Sequence, residues 1–148
     1  MTRSPNRAEN VWIVDDDRSI RWVLEKALQQ EGMEPVSFDS ADAALARLQR
    51  QSPDVLISDI RMPGTSGLDL LANIRERYPK LPVIIMTAHS DLDSAVASYQ
   101  GGAFEYLPKP FDIDEVVAVV KRAITHSEEL ASAKGSAVVN EEAEPSAE

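Results

Sequence analysis

The chain contains no cysteine, which excludes disulfide staples and thiolate metal centres. Its two histidines, His89 and His126, have no partner constellation around them and read as solvated. No stretch approaches the roughly 18 consecutive apolar residues of a membrane span. The opening residues, MTRSPNRAEN, lack the apolar middle of a secretory signal. Basic residues are few as well: 15 Lys and Arg stand against 25 Asp and Glu, a formal charge of −10. There is no basic stripe, no basic helical module and no GxxxxGK[ST] phosphate loop, so direct nucleic-acid binding and P-loop chemistry are not expected. A cytoplasmic, reduced setting fits these absences.

What is present is ordinary in bulk and specific in pattern. A chain of 148 residues with 43% apolar content is long enough for one domain with one sizeable core. Five short apolar runs recur, at Val11–Val14, Val36–Phe38, Val55–Ile57, Val83–Met86 and Phe104–Leu107. Segments with helical spacing alternate with them. Ile20, Val23, Leu24, Ala27 and Leu28 share one helix face, and Ala44, Leu45 and Leu48 repeat the pattern more weakly. Leu68, Leu71, Ile74 and Tyr78 mark a third helix, which stops before Pro79. Leu92, Ala95, Val96 and Tyr99 mark a fourth over Asp91–Gln100, ended by Gly101-Gly102. Ile113, Val116, Val117, Val120 and Ile124 mark a fifth, with Asp112 as its N-cap. Strands alternating with helices predict a parallel sheet covered on both faces, a three-layer (βα)₅ sandwich of the α/β class. Trp12 and Trp22 are expected in the core. Residues 1–8 read as a flexible N-terminus and 9–127 as the folded domain. Residues 128–148, with six acids against the single base Lys134, read as a disordered acidic tail or linker.

The runs end in chemistry. Three carboxylates, Asp15, Asp16 and Asp17, follow the first run, Asp59 follows the third, Thr87 the fourth and Lys109 the fifth. In an open parallel sheet the C-terminal strand ends share one edge, so residues distant in sequence converge there. Asp15–Asp17 also suit a solvated helix N-cap. Adjacent carboxylates repel one another, however, and a hydrated divalent cation such as magnesium relieves this. Met62-Pro63-Gly64 and Gly67 describe a tight turn that leaves Asp59 exposed at the edge. There it is placed to act as an in-line nucleophile that forms an acyl phosphate. Thr87 alone is an ordinary strand-end residue, and a lone Lys is usually a surface group. Lys109 lies between two prolines, and Lys109-Pro110 is a candidate cis bond that aims the ammonium inward. Hydroxyl and ammonium together suit phosphoryl oxygens.

The set VDDD, SDIRMPG, MTA and YLPKPF, in this order and spacing, resembles the receiver domains of response regulators over roughly residues 9–127. The longer stretches WIVDDDRSIRWVLEKAL and LPVIIMTAHSDLDSAVASYQGGAFEYLPKPFD resemble receivers of the NtrC (nitrogen-control) type. The resemblance implies a flavodoxin-like, CheY-like sheet in the order 2-1-3-4-5. It implies Asp59 as phosphoacceptor. Asp15, Asp16, Asp59 and the backbone carbonyl of Arg61 become magnesium ligands, Asp16 the more direct of the acidic pair. Thr87 becomes the switch hydroxyl, Lys109 the phosphoryl-binding lysine and Tyr106 the aromatic that follows activation. Asp17 lies one position beyond the usual pair, and its role stays open.

The implied partner is a sensor histidine kinase, NtrB-like, which donates phosphoryl from a phosphohistidine. Such a chain is a switch that assists its own phosphotransfer and dephosphorylation rather than an enzyme with a separate substrate. Phosphorylation is expected to move Thr87 and to change the face built by the fourth helix, fifth strand and fifth helix. That face would serve a phosphorylation-dependent homodimer or a contact with an ATPase domain that acts on sigma-54 polymerase in nitrogen regulation. Tyr106 also reads as a plain core tyrosine. Two readings compete. A haloacid-dehalogenase-type aspartyl phosphatase is suggested by Asp15-x-Asp17 after an apolar strand, but no late acidic motif follows. A receiver-shaped binding module that is never phosphorylated is the other, and the intact Asp, Thr and Lys set argues against it. A third possibility places a partner-binding function in the tail.

Overall fold

Apolar runs without alternation suit strands buried on both faces, and here five of them form one sheet. The computed structural model describes residues 9–88, 96–97 and 100–136. In chain order these give β1 (Asn10–Val14), α1 (Arg18–Gln30), β2 (Glu34–Phe38), α2 (Ala41–Leu48) and β3 (Val55–Asp59). Then follow α3 (Gly67–Arg77), β4 (Val83–Ala88), β5 (Glu105–Lys109) and a last helix, α4 (Ile113–Ser136). All neighbouring strands are parallel, in the order β2-β1-β3-β4-β5. The helix expected over Asp91–Gln100 falls mainly outside the described residues, as do His89, residues 1–8 and 137–148.

Alternate residues of each strand feed opposite cores, as a pleat of period two requires. Val11, Ile13, Ile57 and Ile84 pack on one side with Leu24 and Leu28 of α1 and Val116 and Val120 of α4. Trp12, Val14, Leu56 and Ile85 pack on the other with Ala44 and Leu48 of α2 and Leu71 and Ile74 of α3. Each fully buried aliphatic side chain contributes about 1.5–3 kcal/mol to folding, so the sheet is a rigid platform for groups at its edge.

Helix starts are set by side-chain caps. Ser40 accepts from the Ala43 N–H at 3.1 Å, and Ser66 accepts from the Asp69 N–H at 3.1 Å. Tyr78 closes α3, and its hydroxyl donates to the Leu48 carbonyl at 3.1 Å, joining α3 to α2.

Two expectations need correction, and the reading of His126 gains a neighbour. Trp22 is 59% exposed, whereas Trp12 is fully buried. Two helical steps carry Trp22 roughly 200° around from Leu24, off the buried stripe, and Lys26 covers its ring instead, 5.8 Å from the centroid. His126 is exposed, as expected, with its ring 5.3 Å from that of Phe104. The segment from 128 does not leave the domain as a tail at once, because α4 runs on to Ser136. Glu, Leu, Ala and Lys in that stretch are good helix formers, and an existing helix extends without a new nucleus.

Candidate functional site

Register places the polar groups side by side. Val14 stands opposite Ser58, Asp59 opposite Met86, Thr87 opposite Pro108 and Ala88 opposite Lys109. The C-terminal ends of β1, β3, β4 and β5 therefore meet at one edge, with Asp15 the first residue past β1. Strands β3 and β5 run further than the apolar runs suggested, through Asp59 and Lys109 themselves. The Lys109–Pro110 peptide bond is cis.

Asp59, expected to be exposed at the edge, is only 9% exposed, and Lys109 links it to the buried Asp15. Its Nζ lies 3.0 Å from Oδ1 of Asp59 and 3.4 Å from Oδ2 of Asp15. Asp15 is fully buried, and its other oxygen accepts from the Asp17 N–H at 2.8 Å. Asp16 is exposed. One carboxylate oxygen from each of Asp15, Asp16 and Asp59 lies within 4.8 Å of the others. Lys109 pairs with two of these three acids, Asp15 and Asp59, and the group as a whole is rich in hard oxygen donors. Burial raises the Asp15 carboxyl above its usual range, the Asp17 N–H and Lys109 lower it, and the nearby Asp59 charge raises it again, for a net rise. For Lys109, burial alone lowers the pKa, but hydrogen bonds and attraction from Asp59 and Asp15 outweigh it and hold the ammonium above its ordinary value.

The remaining predicted residues divide. Thr87 is 1% exposed at the end of β4, beside β5. Tyr106 is half-buried on β5 and packs against the core on the α2–α3 side. Arg61 is exposed in the loop that follows β3. Asp17 is not part of the carboxylate group. It is the N-cap of α1, and its side chain accepts from the Ser19 N–H at 2.8 Å. That role removes the second acid of the Asp15-x-Asp17 pair on which the phosphatase reading depended.

Two contributions were not foreseen from the sequence, one from an unremarked arginine and one from a glycine noted only as part of a turn. Arg21 of α1 donates from Nη1 to the Asp15 carbonyl at 2.6 Å and so fixes the acidic loop. Its position one turn past the acidic run was the available signal. Gly67 lies against the main chain of Asp59, closely enough that a side chain there would overlap it.

The profile of the family described as "Response regulator receiver domain" matches residues 11–121. The chain belongs to this family. Among curated relatives of this receiver, the DNA-binding transcriptional regulator NtrC of Salmonella typhimurium is 64% identical over 119 residues, covering 80% of this chain and 25% of that protein. The receiver therefore spans about a quarter of the length of such relatives. The solution structure of the apo receiver domain of nitrogen regulatory protein C aligns with a TM-score of 0.73 at 64% identity, over 80% of this chain and 95% of that one. A receiver domain from Clostridium thermocellum aligns with a TM-score of 0.78 at 33% identity, over 82% of this chain and 98% of that one. The chain is accordingly a receiver of the NtrC-type response regulators, a signalling switch.

Proposed function

We propose that this receiver takes a phosphoryl group on Asp59 from a phosphohistidine of an NtrB-like sensor kinase. The observation that carries the reading is the junction of Asp59, Asp15 and Lys109, with Nζ 3.0 Å and 3.4 Å from the two carboxylates. In the transfer, an Asp59 carboxylate oxygen bonds to phosphorus, the N–P bond breaks, and the imidazole nitrogen keeps that electron pair. The nucleophile is a carboxylate oxygen, so the step calls for no separate general base.

The acidic group fits a small divalent cation: hard oxygens from Asp15, Asp16 and Asp59 lie within 4.8 Å of each other. Asp15, Asp16, Asp59 and the Arg61 carbonyl would hold magnesium, which when bound supplies charge neutralisation for a phosphoryl group approaching carboxylates. The chain's own groups do the rest. Lys109 gives up its bond to Asp59 and pairs with a phosphoryl oxygen, while its contact with Asp15 keeps the stem in place. Thr87 donates its hydroxyl to another phosphoryl oxygen. Its displacement alters the start of the segment 91–100, and Tyr106 follows into the space released.

The output face comprises that segment, β5 and α4. In longer relatives it would govern homodimer formation or contact with an ATPase domain acting on sigma-54 polymerase in nitrogen regulation. This part rests on the relatives named NtrC, of which the chain covers about a quarter. The setting is cytoplasmic, and no helix among the described residues is long and apolar enough to cross a membrane.

The test is incubation with acetyl phosphate and magnesium, followed by intact mass. Wild type gains one phosphoryl group and Asp59→Asn gains none. An equal gain in both would remove Asp59 as acceptor, and a gain mapped to Asp15 would favour phosphatase-type chemistry.

A further inference from the structure

The peptide unit that follows Asp59 is held on every side. Its carbonyl oxygen accepts from the buried Ser58 hydroxyl at 2.9 Å. Its N–H, on Ile60, donates to the Met86 carbonyl of β4 at 3.0 Å. The next carbonyl, of Ile60, accepts from the Gly67 N–H at 2.9 Å. Gly67 is the first residue of α3 and is itself buried. A Cβ built there would stand 2.2 Å from the Asp59 carbonyl oxygen and 2.7 Å from the Ile60 Cα. Both are backbone atoms, so no side chain can turn aside to make room.

We propose that Gly67 is a positioning residue for the phosphoryl acceptor: its missing side chain seats α3 directly on the Asp59–Ile60 peptide and fixes the line along which the Asp59 carboxylate leaves β3. This rests on Asp59 as the acceptor. Three elements would then set one side chain's direction: β3 carries it and caps its carbonyl through Ser58, β4 holds the peptide plane on its C-terminal side through Met86, and α3 closes the remaining side. Glycine is needed here for close approach and not for its backbone conformation, since Gly67 is not among the positive-φ glycines. Any side chain forces α3 or the Asp59 peptide to move by about 1 Å, and a packed interior transmits such a shift rather than absorbing it. Displacements of that size at a reacting group cost on the order of 10²-fold in rate.

The experiment compares wild type, Gly67→Ala, Ser58→Ala and Leu48→Ala by the rate of acetyl-phosphate labelling at saturating magnesium, corrected for folded fraction from thermal melts. Leu48 lies in α2, away from the edge, and serves as a core-destabilised control. Gly67→Ala is expected to label about 10- to 100-fold more slowly. Ser58→Ala, which loses one hydrogen bond without a collision, is expected to slow about fivefold. Leu48→Ala should keep the wild-type rate despite its lower melting point. A wild-type rate in folded Gly67→Ala, or in Ser58→Ala where the glycine variant does not fold, overturns the positioning role. An equal loss in Leu48→Ala also overturns it, because general loosening would then suffice. Failure of the wild type to label at all would instead remove Asp59 as acceptor.

Discussion

Replacing Asp15 by Asn should stabilise the metal-free domain and weaken its response to magnesium. The carboxylate of Asp15 is fully buried, with like charges from Asp59 and Asp16 within 4.8 Å and a single ammonium 3.4 Å away. At an effective dielectric near 20, two repulsions at that range total about 7 kcal/mol and the attraction is about 5 kcal/mol, so the pair terms leave a small net repulsion. Burial adds to it, in agreement with the raised pKa of Asp15. A raised acid favours the fold fully below its unfolded value and loses that advantage as pH rises through its folded value. At pH 7 the ionised carboxylate is therefore a net cost that Asn removes, while Asn still accepts from the Asp17 N–H. The expected gain is about 1 kcal/mol in EDTA, or about 4 °C in melting temperature for a domain of this size. The advantage should vanish below about pH 4, where the aspartate is protonated in both states. With magnesium at ten times its dissociation constant, wild type gains about 1.4 kcal/mol and Asp15→Asn much less, so the order of stabilities reverses. Urea titrations of both proteins in EDTA and in magnesium, at about pH 7 and about pH 3, measure all eight values. A destabilised Asp15→Asn in EDTA at pH 7, or equal magnesium stabilisation of both proteins, would refute the reasoning.

Lys109→Met should cost about 1–3 kcal/mol in EDTA at pH 7, because two carboxylates lose the ammonium between them; guanidinium melts measure it. Since the Lys109 pKa is raised, its contribution persists below the ordinary lysine value and is lost only in strong alkali, so the cost should stay flat between pH 6 and 9. Gly102→Ala should destabilise by about 1–2 kcal/mol, since Gly102 has φ +97° and an added Cβ would meet Arg75 Cδ at 2.6 Å. Pairing it with Arg75→Ala in a double-mutant cycle should recover the collision but not the backbone strain, and full recovery would contradict that division. Tyr78→Phe should cost about 1 kcal/mol through loss of the bond to the Leu48 carbonyl, read by urea denaturation.

Much of this arrangement was legible in residue order alone. The five apolar runs became five strands, and the polar residues at their ends lie along one edge because parallel strands all finish on the same side. Strand ends were less legible. Asp59 and Lys109 belong to β3 and β5 because neighbouring strands supply hydrogen bonds there, which hydropathy does not encode. Trp22 was misread because hydrophobicity outweighed its place on the helix wheel, where a two-residue step from Leu24 turns outward. Asp17 was ambiguous between ligand and cap, and only the direction of its side chain separated the two. The contact of Gly67 with the Asp59 main chain is a tertiary fact, and glycine at a turn offers no sign of it beforehand.

The contrast between the two tryptophans has an optical corollary. Trp12 sits in the interior, 4.8 Å from the Phe38 ring and with no hydrogen-bond partner for its indole nitrogen among the described residues. Trp22 faces water beneath a lysine. Emission from the native protein is thus a sum of a blue, shielded fluorophore and a red one open to iodide. A Trp22→Phe variant would leave a lone reporter inside the sheet three residues before Asp15, so that light from the core could be followed without the glare of the surface.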